Sequence, residues 1–156
     1  MRLHGILHTD NGIRYDDDVP FGEVSLHAET AVRLAPKLYM LPSLKGRMLF
    51  GSNIPSIYQN CAGGPFDGNY LPWQMAWETA QHVHQLENNA VAARLAMRYR
   101  VKGKFYLTAL GEYGKEAHEI VHILRGNDLW GCALRASYDF VLGPISLQAN
   151  YSNLRK

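Results

Sequence analysis

Hydrophobic and polar residues alternate along the chain between Val91 and Tyr151, in four successive segments. Because successive side chains of a β-strand point to opposite faces, this period of two predicts four strands, each with an apolar face and a more polar face. The apolar row comprises Val91, Ala93, Leu95, Met97 and Tyr99, then Phe105, Leu107, Ala109 and Tyr113, then Trp130, Cys132, Leu134, Ala136 and Tyr138, then Ile145, Leu147, Ala149 and Tyr151. A sheet of such strands separates two different environments.

The aromatic residues of the apolar row stand at its two ends. Those beside the short turns are Tyr99, Phe105 and Tyr138, and those at the far ends are Tyr113, Trp130 and Tyr151. Amphipathic rings collect at both interfaces of a membrane, so this arrangement favours lipid over a protein core as the apolar environment. The step from Phe105 to Tyr113 covers roughly 26 Å at about 3.3 Å per residue. Strand tilt reduces this to roughly 20 Å, near the apolar band of an outer-membrane barrel.

The connections between the segments alternate in length. Tight turns are predicted at residues 101–103 and 140–143, whereas residues 53–89 and 114–128 form long and mostly polar connections. Short turns at one rim and long loops at the other are typical of outer-membrane barrels. The alternative is a soluble antiparallel sandwich or closed barrel, because half-buried soluble sheets alternate in the same way.

The alternation continues less clearly toward the N-terminus. Residues 21–34 and 37–51 predict two further strands, and residues 3–8 predict a weaker one. Pro42 lies within the second of these segments, and because proline cannot donate to a ladder we expect a bulge or a break there. The count is six or seven strands.

The composition is compatible with a barrel. The chain has 156 residues, a hydrophobic content of 47% and a net charge of +2, which argues for no particular partner. Its longest apolar runs fall well short of the roughly 18 residues of a transmembrane helix. Cys61 and Cys132 form no disulfide framework or metal motif. Residues 1–5 open no apolar signal-peptide core, so we interpret the sequence as a fragment of a longer exported protein.

A resemblance to a known family rests on one hairpin and one Gly-rich loop. The hairpin reads Asn-Asp-Leu-Trp-Gly at 127–131, Leu-Arg-Ala-Ser-Tyr-Asp at 134–139 and Leu-Gly-Pro-Ile-Ser-Leu at 142–147. It resembles the penultimate hairpin of the bacterial surface antigen family, the barrel of outer-membrane assembly and two-partner secretion translocators. The most similar version is the barrel found C-terminal to patatin-like phospholipases. The resemblance covers roughly residues 44–156 and implies a barrel whose long loop folds back into the lumen.

The Gly-rich loop of that family resembles residues 58–74, where the matching motif comprises Gly63, Gly64, Gly68, Asn69 and Tyr70. The family carries an arginine at the place of Asn69, and such an arginine would pair with an acidic residue of the wall. The resemblance therefore leaves the loop of this chain without its charged lock. The family also closes with one more strand, without which the last edge stays unpaired. The simpler interpretation of the glycines is backbone freedom for turns.

The polar row contains Arg94, Arg98, Arg100, Glu112, Arg135 and Asp139. These residues would face the lumen of a barrel and give it a largely basic wall that favours anions. The alternative is an ordinary solvated face, because charged side chains need water or partners in any fold.

One motif points to a different chemistry. Residues 118–122 read His-Glu-Ile-Val-His, a literal match to H-E-x-x-H. On a helix His118 and His122 would share one face and could hold zinc, with Glu119 as general base. A third ligand is hard to find, because only Asp128 and Asp139 follow as acids and no histidine follows. A short helix over residues 117–124 could form without any metal.

We therefore predict an all-β fold, an antiparallel transmembrane β-barrel of which residues 1–156 supply six or seven strands, without the last strand and with a re-entrant loop at about 53–89. Its predicted function is a translocation path, or a membrane anchor for a missing N-terminal domain such as a patatin-like phospholipase. We expect no catalytic residue, no cofactor and no metal in this chain. The expected partners in the bacterial outer membrane are lipid and a second barrel half or a homo-oligomer, and no nucleic acid. The alternatives are a soluble zinc-dependent hydrolase and a soluble β-sandwich binding module.

Overall fold

The computed structural model describes residues 2–11, 20–51, 54, 56–64, 73–80 and 82–154, with the backbone alone for residues 2–11, 20 and 57. Its strands are β1 (Arg2–Asn11), β2 (Pro20–Glu29), β3 (Val32–Ala35), β4 (Leu38–Phe50), β5 (Cys61–Ala62), β6 (His84–Gln85), β7 (Asn89–Lys102), β8 (Phe105–Ala117), β9 (Asn127–Phe140) and β10 (Gly143–Ser152). Two 3-10 helices span Ser56–Tyr58 and Ile120–Arg125. Neither is long and apolar enough to cross a membrane, and the described residues hold no other helix.

One antiparallel sheet dominates the molecule, in the order β1-β2-β4-β7-β8-β9-β10, with β3 also paired to β4. The strands β5 and β6 form a separate two-stranded ribbon. The predicted all-β, antiparallel fold is confirmed. In the described part of the chain no pairing joins β1 to β10, so this sheet has two open edges.

The register aligns the apolar rows of neighbouring strands. Tyr99 of β7 lies opposite Leu107 of β8, Leu107 lies opposite Ala136 of β9, and Ala136 lies opposite Leu147 of β10. A slip by one residue would turn every side chain of a strand to the other face, so the apolar pattern itself specifies this register. Each apolar row therefore forms a continuous stripe across four strands.

The two rims of the sheet differ as predicted. At one rim, here called the turn rim, the strands are joined by residues 36–37, 103–104 and 141–142. At the other, the loop rim, β1, β4 and β8 end and β2, β7 and β9 begin, and residues 118–126 and the described part of residues 51–88 form connections there. The strands β8 and β9 extend further toward the loop rim than the alternation suggested, which shortens the connection predicted at residues 114–128.

Pro42 leaves its own strand intact and interrupts the neighbouring one. The register of β4 with β7 runs past Pro42 without a shift. The amide of Thr30 donates to the carbonyl oxygen of Pro42 at 3.1 Å, but the reciprocal bond cannot form because proline has no N–H. The break that we expected within residues 37–51 therefore falls between β2 and β3.

The long loop covers one face of the sheet, here called the loop-side face. A cluster of buried residues lies between them, comprising Ala62, Met75, Trp77, Ala80 and Leu86 of the loop with Ala90 and Leu129 of the sheet. The opposite face, here called the open apolar face, carries the apolar stripes. There the side chains of Leu107, Leu134 and Leu147 are 47%, 68% and 80% exposed. No second layer covers this face in the part of the chain that the structure describes.

The turn between β7 and β8 depends on a glycine. Gly103 has a φ of 56°, whereas Gly111 in β8 has no left-handed φ, and a Cβ at either position would meet no atom within 4 Å. We expect Gly103→Ala to lower the free energy of unfolding by about 1 kcal/mol through backbone strain. The matched Gly111→Ala should leave it unchanged or raise it by about 0.5 kcal/mol, because glycine weakens a strand interior. Urea unfolding in detergent, followed by tryptophan fluorescence, measures both, and equal effects would refute the turn argument.

Candidate functional site

Before it reaches the sheet, the loop folds back on itself through two isolated bridges, one parallel and one antiparallel. Residues 61–64 pair with residues 75–77, through bonds from the amide of Met75 to the oxygen of Cys61 (2.9 Å) and from the amide of Trp77 to the oxygen of Gly64 (2.9 Å). This pairing delivers the segment 73–80 onto the loop-side face, with Trp77 only 1% exposed. The segment 73–80 is therefore the part of the loop that contacts the strands β7–β10, here called the wall.

At two positions of the predicted loop motif the backbone conformation requires glycine. Gly63 and Gly64 have φ values of 152° and 74°, which favour glycine. A Cβ on Gly63 would also overlap the carbonyl group of His82. The motif residues Gly68, Asn69 and Tyr70 lie outside the described residues.

Glu78, at the centre of the segment 73–80, is held by two arginines of the wall. Its two carboxylate oxygens pair separately with Arg94 of β7 and Arg135 of β9. The Glu78 side chain is 10% exposed, and the two arginines are 21% and 24% exposed. Ion pairs that are partly withdrawn from water are less screened than surface pairs. One carboxylate of the loop thus joins two strands of the wall.

Glu112 of β8 accepts hydrogen bonds from the backbone of the same segment. Its carboxylate accepts bonds from the amides of Glu78 (3.1 Å) and Thr79 (3.0 Å), and from the Thr79 hydroxyl (2.8 Å). The strand β10, on the far side of β9, adds two amide side chains, since Gln148 donates to the backbone carbonyl oxygen of Glu78 (3.0 Å) and Asn150 to that of Thr79 (2.7 Å). We call Glu78, Thr79 and their partners on β7–β10 the loop–wall lock.

Small residues of the wall let the loop backbone approach closely. A Cβ on Gly131 of β9 would overlap the side chain of Thr79, which occupies that space. A Cβ on Gly114 of β8 would lie 2.7 Å from the oxygen of Val91 and 3.2 Å from the ring of Trp77. The wall therefore carries a depression, lined by glycine, that matches the segment 73–80.

The base of the loop is bound on the same face of the sheet, nearer its β2 edge. Arg47 of β4 donates to the carbonyl oxygen of Tyr58 (2.8 Å), to the side chain of Asn60 (2.9 Å) and to the carboxylate of Glu23 (2.8 Å). Arg47 also lies over the ring of Trp73, 5.5 Å from its centroid. Asn60 is fully buried and donates in turn to backbone oxygens of the sheet and of the returning loop.

The predicted wall residues divide into two groups. Arg94, Glu112 and Arg135 contribute to the loop–wall lock, whereas Arg98, Arg100 and Asp139 are exposed near the turn rim. Sequence reasoning did not find Glu78, because it lies in a segment without alternation. Gln148 and Asn150 lie on the polar side of the alternation in β10, but an uncharged amide side chain does not by itself predict a binding role.

The H-E-x-x-H match does not form a metal site geometry. His118 precedes the 3-10 helix Ile120–Arg125, so the helix predicted over residues 117–124 is shorter and of another type. His118 lies 3.5 Å from Glu87, and His122 lies 3.4 Å from Glu119, with both imidazoles largely exposed. Among the residues that the structure describes, no three His, Cys, Asp or Glu side chains are grouped to hold a metal ion.

No family model matches this chain, and no curated protein matches it. The functional interpretation therefore rests on the geometry of the sheet and its loop.

Removing the charge of Glu78 should release the loop. Glu78→Gln leaves Arg94 and Arg135 without their carboxylate, which we expect to cost about 2–3 kcal/mol. Amide hydrogen exchange within residues 73–80 should accelerate roughly 30- to 150-fold, the equivalent of that free energy. The matched variant is Glu119→Gln, because the Glu119 side chain is 63% exposed and pairs with an exposed histidine, His122. Similar exchange in both variants would contradict the lock.

A methyl group at position 131 of the wall should also release the loop, in this case by steric overlap. Gly131→Ala would meet the Thr79 side chain, so we expect the segment 73–80 to be displaced and its amides to exchange at least tenfold faster. Gly111→Ala is the control, since no atom lies within 4 Å of that Cβ. The circular dichroism of both variants should retain the strand signal. An unchanged exchange rate in Gly131→Ala would show that the loop does not occupy the depression.

Proposed function

We propose that this chain is part of a transmembrane β-barrel of the bacterial outer membrane and acts there as a translocation path, with membrane anchoring of an N-terminal domain as the alternative role. The observation that carries the proposal is the open apolar face. Its leucines are 47–80% exposed on strands of 10–14 residues. Transmembrane strands need about 9–11 residues, so these strands are long enough.

Aromatic side chains at both ends of the apolar stripes support a lipid environment. Near the loop rim the rings of Trp130 and Tyr151 pack with centroids 5.4 Å apart, and Tyr113 lies opposite Trp130. Near the turn rim Phe105 lies opposite Tyr138. Two such girdles flank the apolar band of outer-membrane barrels. The apolar stripes lie between them.

A soluble sandwich is disfavoured by the same face. A sandwich buries the inner faces of two sheets against each other, about 10 Å apart. Soluble monomers rarely expose contiguous apolar patches beyond a few hundred Å². Here the stripes of four neighbouring strands are exposed together, so a soluble protein would need a partner over the whole face. Acyl chains supply that cover without a second protein layer.

The loop-side face fits the lumen of the proposed barrel. Its charged groups Arg94, Glu112 and Arg135 are neutralised by the segment 73–80, but they would be hydrated by lumen water if that segment moved away. An anchor needs only the apolar face, whereas a path needs a polar wall behind a loop that can move. The loop–wall lock therefore favours the path over the anchor.

The direction of the edge strands constrains the remaining partner. In the described part of the chain seven strands follow one another in antiparallel order from β1 to β10, with β3 paired beside them to β4, so β1 and β10 both run from the turn rim to the loop rim. Unpaired edges are not tolerated in hydrocarbon. A second copy in the same orientation would meet these edges only in parallel, so antiparallel closure requires an odd number of additional strands. This favours a different barrel half over a homo-oligomer.

Collision of a spin label with lipid-soluble and water-soluble probes tests the proposal. Cys132 lies on the open apolar face, between Trp130 and Leu134, and is exposed. A nitroxide on Cys132, in a Cys61→Ala background in phosphatidylcholine vesicles, should collide often with oxygen and rarely with a nickel chelate. Glu119→Cys, with Cys132→Ser and Cys61→Ala, should give the opposite ratio, because Glu119 is exposed at the loop rim. Preference for the nickel chelate at Cys132 would refute the lipid assignment.

A further inference from the structure

The arginines of the loop-side face differ in whether they pair with a carboxylate. Deep on this face, Arg47 pairs with Glu23, and Arg94 and Arg135 pair with Glu78. Toward the turn rim the same face carries four cations that we call the basic rim patch: Arg33, Lys37, Arg98 and Arg100. All four are exposed, and within the described ranges none of them forms an ion pair with a carboxylate.

The register places these four cations side by side. Arg33 lies opposite Tyr39, which lies opposite Arg98, and the amide of Arg100 donates to the oxygen of Lys37 at 2.8 Å. Neighbouring strands are about 4.8 Å apart, so the patch measures roughly 10 Å across. Like charges on neighbouring strands are destabilising. Such an arrangement is relieved when an anion binds.

Neighbouring groups orient the guanidinium groups. Arg98 lies over the ring of Tyr106, 5.9 Å from the centroid, a cation–π geometry that leaves its N–H groups available at the edge. Arg33 donates to the carbonyl oxygens of Ala35 (3.4 Å) and Pro36 (3.5 Å) from one side of its fork. These contacts hold the cations at the mouth of the loop-side face.

We propose that the basic rim patch binds a free anion that carries several linked phosphate groups. Guanidinium forks bind phosphate through two parallel N–H···O bonds. Phosphate groups joined in one ligand carry several charges within the roughly 10 Å of the patch, whereas acidic side chains bring one charge each. The patch is defined by the register and the charges of the described residues, so it does not depend on the proposed function.

Titration calorimetry with inorganic tripolyphosphate tests the patch in nonionic detergent, where no lipid phosphate is present. We expect saturable binding that weakens as salt is raised, because the ligand is held by exposed charges. The double variant Arg98→Gln, Arg100→Gln should lose at least tenfold in affinity. The matched variant Lys115→Gln, Arg125→Gln removes the same charge near the loop rim and should stay within twofold of the parent. Arg98→Lys, Arg100→Lys keeps the charge and should lose only part of the affinity.

A second measurement tests the same site through stability. Saturating tripolyphosphate should raise the unfolding midpoint in nonionic detergent, and this rise should vanish in Arg98→Gln, Arg100→Gln. The result does not depend on the fate of the translocation proposal. The proposal is overturned if tripolyphosphate neither binds nor stabilises the protein, if the loop-rim variant loses as much affinity as the patch variant, or if oligoglutamate binds more tightly than tripolyphosphate.

Discussion

Charge neutralisation on one face of the sheet is the constraint on which the arrangement of the loop depends. Arginines of β7 and β9 and a glutamate of β8 face the same space, and each needs water or a partner. Glu78 satisfies both arginines, while the backbone amides beside it satisfy Glu112. The amide side chains of β10 bind the loop backbone, and glycine at position 131 leaves room for the backbone to come close enough for these bonds to form.

The two faces of the sheet impose opposite requirements on the same strands. Every second residue meets the charged loop-side face, and the residues between them form apolar stripes without a protein cover. In the proposed barrel, a bilayer on one side and a polar lumen on the other would meet both requirements with one layer of strands. Pro42 shows how strongly the register is held, since the loss of its hydrogen bond interrupts the neighbouring strand without shifting β4.

Reversal of charge distinguishes this loop from the one that the family resemblance suggested. There an arginine of the loop pairs with an acid of the wall, and Asn69 occupies the matching place here. In this chain the loop supplies the acid, Glu78, and the wall supplies Arg94 and Arg135. The contact is made from residues 73–80, beyond the Gly-rich motif, so a motif comparison could not reveal it. In the H-E-x-x-H match, His118 and His122 do not share one helical face, because His118 precedes the 3-10 helix Ile120–Arg125.

The amino-acid sequence by itself determined the strands, their apolar and polar rows and the alternation of short and long connections, because these features arise from a period of two that acts locally. It also placed Arg94, Glu112 and Arg135 together on the polar face of the strands. Only the tertiary structure decided which partner each charge has, since Glu78 is 16 residues from Arg94 and 57 from Arg135 along the chain. Partners at such distances are chosen by the path of the loop across the sheet, and no local pattern records that path.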